Sequence, residues 1–307
     1  MGLVNTFVQW YAKKRMEQMD IFIKNPIDVQ NEVLSTLLYK AKDTEYGKKY
    51  GFENIISYRD FKNQVPVVHY EDFEPYISRT RKGEKDVIWR GNIEWFAKSS
   101  GTTNAKSKFI PVTKDSLEEC HYKAGKDLFS IYAVNNPETK IFECKNLRLG
   151  GTREDYGDFN SKYGDLSAVL IDNLPLWAEW KSTPNREVSL LKDWEIKLPA
   201  IVEQVIQQDV SSFTGAPSWM MVLLQKVLET TGKQYIDEVW QNVECFFHGR
   251  ISFTPYAEQY HMIFSRPIKY YEIYNASEGY FAMQDTNDSK DMLLMLDYGI
   301  FYEFIPM

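Results

Sequence analysis

Apolar residues from Val4 to Ile23 recur mostly at helical spacing, and Asn25-Pro26 then supplies a stop and a fresh helix start. The pattern predicts an amphipathic first helix and a second running to about Ala41, with Val29, Val33, Leu37 and Leu38 on one side. Gly47 and Gly51 return the chain to loop. Between Val65 and Ile110 the texture changes to short apolar runs, Val65-Pro66-Val67-Val68, Val87-Ile88-Trp89 and Ile93-Glu94-Trp95-Phe96, divided by turns at Gly83 and Gly91. These runs predict strands. A longer helical pattern covers Ser116 to Phe129, with Asp115 as its candidate cap.

Further along, a helical stretch from Trp194 to Gln208 is followed by the short run Val210 to Phe213. A helix then opens at Pro217-Ser218 and ends near Gly232. Val243 to Phe247 and Lys269 to Tyr274 are further strands, and Met292 to Met295 with Phe301 to Ile305 predict a hairpin around Asp297-Tyr298-Gly299. Strand and helix in alternation place the chain in the α/β class. Neither an internal repeat nor a low-complexity linker interrupts it.

Composition narrows the function. The 307 residues are 44% hydrophobic and 26% charged, enough for a large core in one large or two ordinary domains. A net charge of −7 argues against a general electrostatic grip on nucleic acid. The basic stretch Arg79, Arg81, Lys82, Lys85 and Arg90 is broken by Glu84 and Asp86 and reads as a solvated loop. Cys120, Cys144 and Cys245 are odd in number and widely spaced, so no disulfide framework or CxxC metal site is indicated, and a reducing compartment fits. Cys245 and His248 are three apart in a strand and so face opposite ways. No run reaches the roughly 18 apolar residues of a membrane span, and the opening segment lacks a leader's continuous apolar stretch. The expectation is a cytoplasmic protein without membrane partners.

Two stretches carry candidate chemistry. The first is Phe96-Ala97-Lys98-Ser99-Ser100-Gly101-Thr102-Thr103-Asn104-Ala105-Lys106-Ser107-Lys108-Phe109-Ile110-Pro111, four hydroxyls around one glycine with lysines following. Such a loop can offer backbone N–H groups, hydroxyl donors and ammonium charge to a polyphosphate. It is not the Walker form, and taken alone an ordinary polar hairpin is the commoner outcome. The second runs from Tyr270 to Phe281. Tyr274 offers a flat face for a base, Asn275 and Ser277 offer hydrogen bonds, and Glu278 is a hard oxygen ligand suited to Mg²⁺ shared with phosphates.

Together the stretches resemble the auxin-responsive GH3 family of acyl-acid amido synthetases, within the adenylate-forming, luciferase-like superfamily. Ser99-Ser100-Gly101-Thr102-Thr103 matches its phosphate-loop motif, and Tyr274-Asn275-Ala276-Ser277-Glu278-Gly279 its adenine and Mg²⁺ motif. Thr44-Glu45-Tyr46-Gly47, Gly164-Asp165-Leu166-Ser167-Ala168, Pro217-Ser218-Trp219 and Tyr302-Glu303-Phe304-Ile305-Pro306 extend the match along nearly the whole chain. The resemblance implies a large N-terminal domain of mixed β-sheets flanked by helices, with a small β-barrel-like part. It also implies that Ser99, Ser100, Gly101, Thr102 and Thr103 wrap the β- and γ-phosphates of ATP beside Lys106. Tyr274 would stack on adenine next to Asn275, Ala276 and Ser277, Glu278 would hold Mg²⁺, and His248-Gly249 would pass over the nucleotide. Glu278 and Thr102 are the implied catalytic groups.

The sequence departs from the family at three places. Asn104 and Ala105 stand where superfamily members often carry glycine, and Arg250 replaces a second glycine after His248-Gly249. The third motif, Tyr-Arg-x-Gly-Asp, and the mobile C-terminal domain behind it do not appear, so residues 1–307 are expected to be one N-terminal ATP/acyl-binding domain alone. Tyr163-Gly164-Asp165 only superficially resembles that motif. For His69, His121 and His261 the expectation is ordinary, satisfied histidines.

The implied reaction has two steps: a carboxylate attacks the α-phosphorus of ATP, then an amino acid amine attacks the acyl-adenylate. It needs preorganised donors and Mg²⁺ on the phosphates rather than a protein nucleophile. The acid is expected in an apolar pocket walled by the Ser116–Phe129 helix and the Pro217-Ser218-Trp219-Met220 helix start. Two rivals are a non-catalytic ATP/acyl-binding module and an acyl-CoA synthetase of the same superfamily, the latter giving thioester rather than amide. Thr102→Val is expected to weaken ATP binding in a calorimetric titration, and equal affinities would return the serine-threonine loop to an ordinary polar hairpin.

Overall fold

The computed structural model describes residues 3–99, 107–155, 161–287 and 289–306. Its described strands form two sheets. The smaller has the order β2-β1-β5-β4, from β1 (Trp95–Ser99), β2 (Lys108–Val112), β4 (Arg153–Asp155) and β5 (Lys162–Gly164). The larger has the order β11-β10-β9-β8-β7-β3-β6. Its members are β3 (Lys145–Arg148), β6 (Ser182–Thr183), β7 (Val210–Gly215), β8 (Cys245–Gly249), β9 (Lys269–Ala276), β10 (Gly279–Met283) and β11 (Leu293–Leu294). Strands β6, β3, β7, β8 and β9 run parallel, and β10 and β11 close one edge antiparallel. No further, barrel-like sheet forms among the described residues.

The large sheet is covered on both faces, as parallel strands require. Side chains alternate along β8: Phe246 joins Ile201, Val205, Met220 and Leu224 of the Trp194–Val205 and Pro217–Thr231 helices. Cys245 and Phe247 point the other way, into a cluster with Met19 and Phe22 of the Leu3–Lys24 helix and Leu128 and Ile131 of the Lys123–Asn135 helix. The predicted opposition of Cys245 and His248 is therefore observed, and all three cysteines are free and buried.

The long helices start and stop where the sequence places them. Pro217 occupies the first turn of its helix, where its missing N–H is harmless, and Gly232 follows the last turn at φ +67°. The second helix, Pro26–Ala41, buries Gln30, Leu34, Leu38 and Ala41, a seam rotated by about one position from the predicted one.

Other expectations are corrected. Val65–Val68 is not a strand: Val65 N–H closes the Tyr58–Gln64 helix onto Phe61 O at 2.8 Å, Pro66 has no N–H, and Val67 and Val68 are exposed. The Tyr70–Arg81 helix follows, opened by the Asp72 carboxylate, which accepts from His69 N–H at 3.1 Å. Val87–Trp89 is likewise irregular, and the strand predicted from Ile93 begins at Trp95. The Ser116 helix opens with a wide π-type segment over Ser116–Tyr122 before turning α-helical. Its start is held by Thr113, whose hydroxyl accepts from Ser116 N–H at 3.0 Å, while Asp115 takes the Trp89 indole N–H at 3.0 Å and pairs with Arg90. The predicted terminal hairpin does not form. Leu293–Leu294 pairs with Ala282 and Met283, and the Tyr302 N–H donates to Gln30 Oε1 at 2.8 Å.

A buried ion network locks the helical layer. The Arg15 guanidinium, 4% exposed, donates to both oxygens of Asp127 at 2.9 Å and to Asp297 at 2.7 and 2.9 Å. Tyr298 Oη donates to Asp127 at 2.7 Å, and Lys123 Nζ to Asp297 at 2.9 Å. Burial lifts the Asp127 carboxyl above its ordinary range against the pull of Arg15. Asp297 is held below its ordinary range, because its bonds to Arg15 and Lys123 outweigh burial. Removing one partner strands a buried charge, so Arg15→Met is expected to cost about 3–5 kcal/mol in a denaturant titration. The loss should be smaller at about pH 5 than at about pH 8, since carboxyls left without their cation protonate more readily; a pH-independent loss would show that the charges are not the cause.

Candidate functional site

Four parallel strands end side by side, β3 at Arg148, β7 at Gly215, β8 at Gly249 and β9 at Ala276. The ladder fixes their register: Arg148 opposite Thr214, Gly215 opposite His248, Gly249 opposite Ile273. Ligands of open α/β sheets collect beyond such carboxyl ends, and two cavities lie there, of about 660 and 260 Å³, sharing Leu166, Arg250, Ile273 and Asn275.

The larger cavity gathers Tyr274, Asn275, Ala276, Ser277 and Glu278 from one sheet and Lys98 and Ser99 from the other. Ala276 pairs with Gly279, which leaves Ser277 and Glu278 as a two-residue turn between β9 and β10. The Tyr274 ring is 55% exposed and braced by Phe281 at 5.2 Å, so a flat face remains open. Glu278 is exposed at the turn. Ser100, Gly101, Thr102, Thr103 and Lys106 lie outside the described residues; the strands they join are described, with Ser99 paired to Lys108.

His248 and Gly249 are separated by function. His248 lines neither cavity: it is buried, stacked on Phe253 at 4.4 Å, and pushed down to about 4 by burial, hence neutral near pH 7. Gly249 lines the smaller cavity, and a Cβ there would stand 2.5 Å from Ile273 O, which only glycine avoids. The next residue, Arg250, adopts φ +72° and lines both cavities. A glycine would hold that conformation without strain, and the arginine keeps it at a cost of about 1–2 kcal/mol.

Leu128, Phe129, Leu149, Leu170, Ile171 and Trp177 give the smaller cavity an apolar lining. The Ser116–Phe129 segment forms a wall as expected, through His121, Tyr122 and Gly125 as well. The Pro217–Met220 helix start does not; Thr214, Gly215 and Ala216 before it do, and Trp219 turns outward against Trp194 at 5.0 Å. His121 is not the satisfied histidine expected. Its Nδ1 is buried without a partner, and burial pushes it down to about 4. His69 is an exposed helix cap, and His261 lies 6.0 Å from the Tyr270 ring.

Several lining residues were given no role by the sequence: Lys98, Asp165 and Glu272 in the larger cavity, which lie inside the matched stretches, and Arg148 in the smaller, which lies outside them. The one usable sign for Arg148 is a cation inside the apolar run Leu147-Arg148-Leu149, directly before Gly150-Gly151. Those glycines are held by Lys197, a buried lysine whose Nζ donates to Gly150 O at 2.7 Å and Gly151 O at 3.1 Å. Burial lowers its pKa against the opposing field of Asp165.

Among the described residues no group of three or more His, Cys, Asp or Glu side chains converges on a metal position. No helix there is long and apolar enough to cross a membrane.

The chain is similar to jasmonoyl-L-amino acid synthetase JAR6 of Nicotiana attenuata, 36% identical over 56% of this chain and 28% of that one. It is 35% identical to the Arabidopsis thaliana indole-3-acetic acid-amido synthetase GH3.6 over 34% of this chain and 18% of that one. It thus spans a minor part of the curated relatives' length. Among solved structures, the acyl acid amido synthetase AtGH3.15 in complex with 2,4-DB superposes with a TM-score of 0.74 at 17% identity, over 92% of this chain and 58% of that one. A 2-hydroxyisobutyryl-CoA ligase shares the fold at a TM-score of 0.57 and 13% identity, over 88% of this chain and 54% of that one. Residues 15–268 match the GH3 family N-terminal domain, and the chain belongs to the GH3 family.

Proposed function

We propose that the larger cavity takes ATP and the smaller a carboxylic acid, and that the acid is adenylated where the two meet, then coupled to an amino acid. The observation that carries this reading is the shared boundary. Arg250 and Asn275 line both cavities, so a carboxylate in one abuts a phosphate in the other. Attack of the carboxylate oxygen on the α-phosphorus expels pyrophosphate, and attack of an amine on the acyl-adenylate then expels AMP and leaves an amide.

The residues divide this work by chemistry. Tyr274 offers its open ring face to adenine, and Asn275 and Ser277 flank it with hydrogen-bonding groups. Lys98 and Arg250 bring cationic charge to oxygens whose negative charge grows as the phosphorus is attacked. Mg²⁺ bound with ATP needs only one or two protein carboxylates beside phosphate oxygens, and Glu278, with Glu272 in the same cavity, fits that donor set. When bound, it would neutralise phosphate charge. The apolar lining of the smaller cavity excludes water from an intermediate that water would hydrolyse. The free, buried cysteines support a cytoplasmic setting.

The binding-module reading and the enzyme reading separate by pyrophosphate exchange with a panel of acids: exchange supports adenylation, while ATP binding without exchange supports a module. An amide rather than a thioester product separates the synthetase from a CoA ligase.

Glu278→Ala is expected to weaken Mg²⁺-dependent ATP binding at least about tenfold in calorimetry, and an unchanged affinity would remove Glu278 from that role. Arg250→Gly suits the local backbone and should fold at least as well as the parent. Its ATP affinity is therefore expected to fall through lost charge alone; an affinity equal to the parent's would return Arg250 to solvent.

A further inference from the structure

The smaller cavity carries charge that its apolar lining does not explain. Among the described residues no aspartate or glutamate lines it, yet Arg148, Lys181 and Arg250 do. Two of these cations have evident employment. Arg250 stands at the junction with the larger cavity. Lys181 donates to the Phe142 carbonyl and lies over the Trp180 ring at 4.6 Å.

Arg148 has none. Its Nε and Nη2 are buried with no hydrogen-bond partner. The carboxylate whose field reaches it, Glu179, is already paired with Arg186 at 3.0 Å. Tyr122, beside it, gives its hydroxyl proton to Leu170 O at 3.2 Å. Two more lining residues, His121 and Tyr280, also hold a buried polar atom without a partner, Nδ1 and Oη respectively. A guanidinium with two buried, idle donors is unfavourable unless an anion completes it.

The sheet places this unmet demand at a defined distance from the reacting centre. Arg148 ends β3 level with Tyr271 of β9, about 14 Å away across β7 and β8, and Asn275 lies four residues further along β9, so the two backbones are about 20 Å apart and the arginine side chain spans part of that gap. A ligand with its reacting carboxylate at Arg250 and Asn275 extends along the apolar wall toward Arg148.

We propose that the acid taken by this cavity is a dicarboxylate, with an apolar body between one carboxylate at the nucleotide junction and a second paired with Arg148. This rests on the reading of the smaller cavity as the acid site. A guanidinium offers two parallel N–H donors to a carboxylate, which a hydroxyl or ketone would leave half used.

The test compares 3-phenylpropionate with 3-(4-carboxyphenyl)propionate, titrated calorimetrically into the full chain, with ATP titrated separately. The diacid is expected to bind at least about tenfold tighter than the monoacid. Arg148→Met should abolish the gap while leaving the monoacid affinity within about twofold, and Arg148→Lys should keep part of it. In the absence of ligand Arg148→Met should melt no lower than the parent, because an uncompensated buried cation is replaced by an apolar side chain. Equal affinities for the two acids, or a diacid preference that survives Arg148→Met, overturns the proposal, as does a large loss of melting temperature showing Arg148 to be a structural prop. Competition of glycine with the diacid would reassign Arg148 to the carboxylate of the amine substrate and likewise overturn it. If ATP and the monoacid bind but the diacid gains nothing, only this inference falls. If neither ATP nor acid binds, the functional reading falls with it.

Discussion

Parallel hydrogen bonding between β3, β7, β8 and β9 is the constraint from which the chemistry follows. Parallel strands need crossover segments, and crossovers cover both faces of the sheet. One face is taken by the cluster around Phe246 and Trp240, the other by the cluster around Phe247 and Tyr271. What stays open is the row of carboxyl ends, where the chain must leave each strand and where backbone can approach a ligand. Gly249 shows how tight that row is. Its Cα lies so close to the Ile273 carbonyl that no side chain fits, and the following Arg250 is turned into a left-handed conformation that aims it at both cavities.

The Arg15 network serves the site at one remove. It ties the Leu3–Lys24 helix to the Lys123–Asn135 helix and to the turn carrying Asp297 and Tyr298. The Lys123–Asn135 helix carries Gly125, Leu128 and Phe129 of the smaller cavity, and Tyr298 packs near Tyr280, which also lines it. Two cations, Arg15 and Lys123, face two carboxylates, Asp127 and Asp297, so the layer is held without leaving net charge in the core. The contrast with Arg148 is instructive. Buried Arg15 has its donors filled by the protein, and half-buried Arg148 keeps two buried donors idle in a residue that lines a cavity.

Much of this was legible in the sequence, and the exceptions share a cause. The Trp194–Val205 and Pro217–Thr231 helices and strand β9 were readable because each is long, periodic or bounded by strong local signals such as Pro217 and Gly232, whereas the short Ile236–Val239 and Ala257–Met262 helices between them left no such pattern. The turn at Ser277-Glu278 was readable because an alternating strand runs straight into it. The Tyr58–Gln64 and Tyr70–Arg81 helices were not, because they are polar and short and their neighbouring valines are exposed rather than buried. Asp115 looked like a cap, yet Thr113 holds the helix start, since the carboxylate has a better partner in Trp89 from an earlier segment. Arg148 was illegible for a deeper reason. Its meaning depends on what fails to face it, and that is set by strands and helices distant in sequence.

The larger cavity has a further consequence for how the two sheets relate. Lys98 and Ser99 come from β1 in the small sheet, whereas Tyr274 to Glu278 come from β9 and its turn in the large one. Trp95 and Ala97 of β1 pack with Leu166 and Val169 of the Leu166–Asp172 helix, and Leu166 lines both cavities. On the proposed reading, a nucleotide in this cavity would touch Lys98 and Ser99 of one sheet and Tyr274 of the other, and so would add contacts between the sheets that the free protein lacks. Its binding energy would then be partly binding energy between the sheets. The smaller cavity shares Leu166 and Ile273 with the larger, so on that reading each ligand would meet a wall that the other helps to fix, and the two binding steps would be coupled through it.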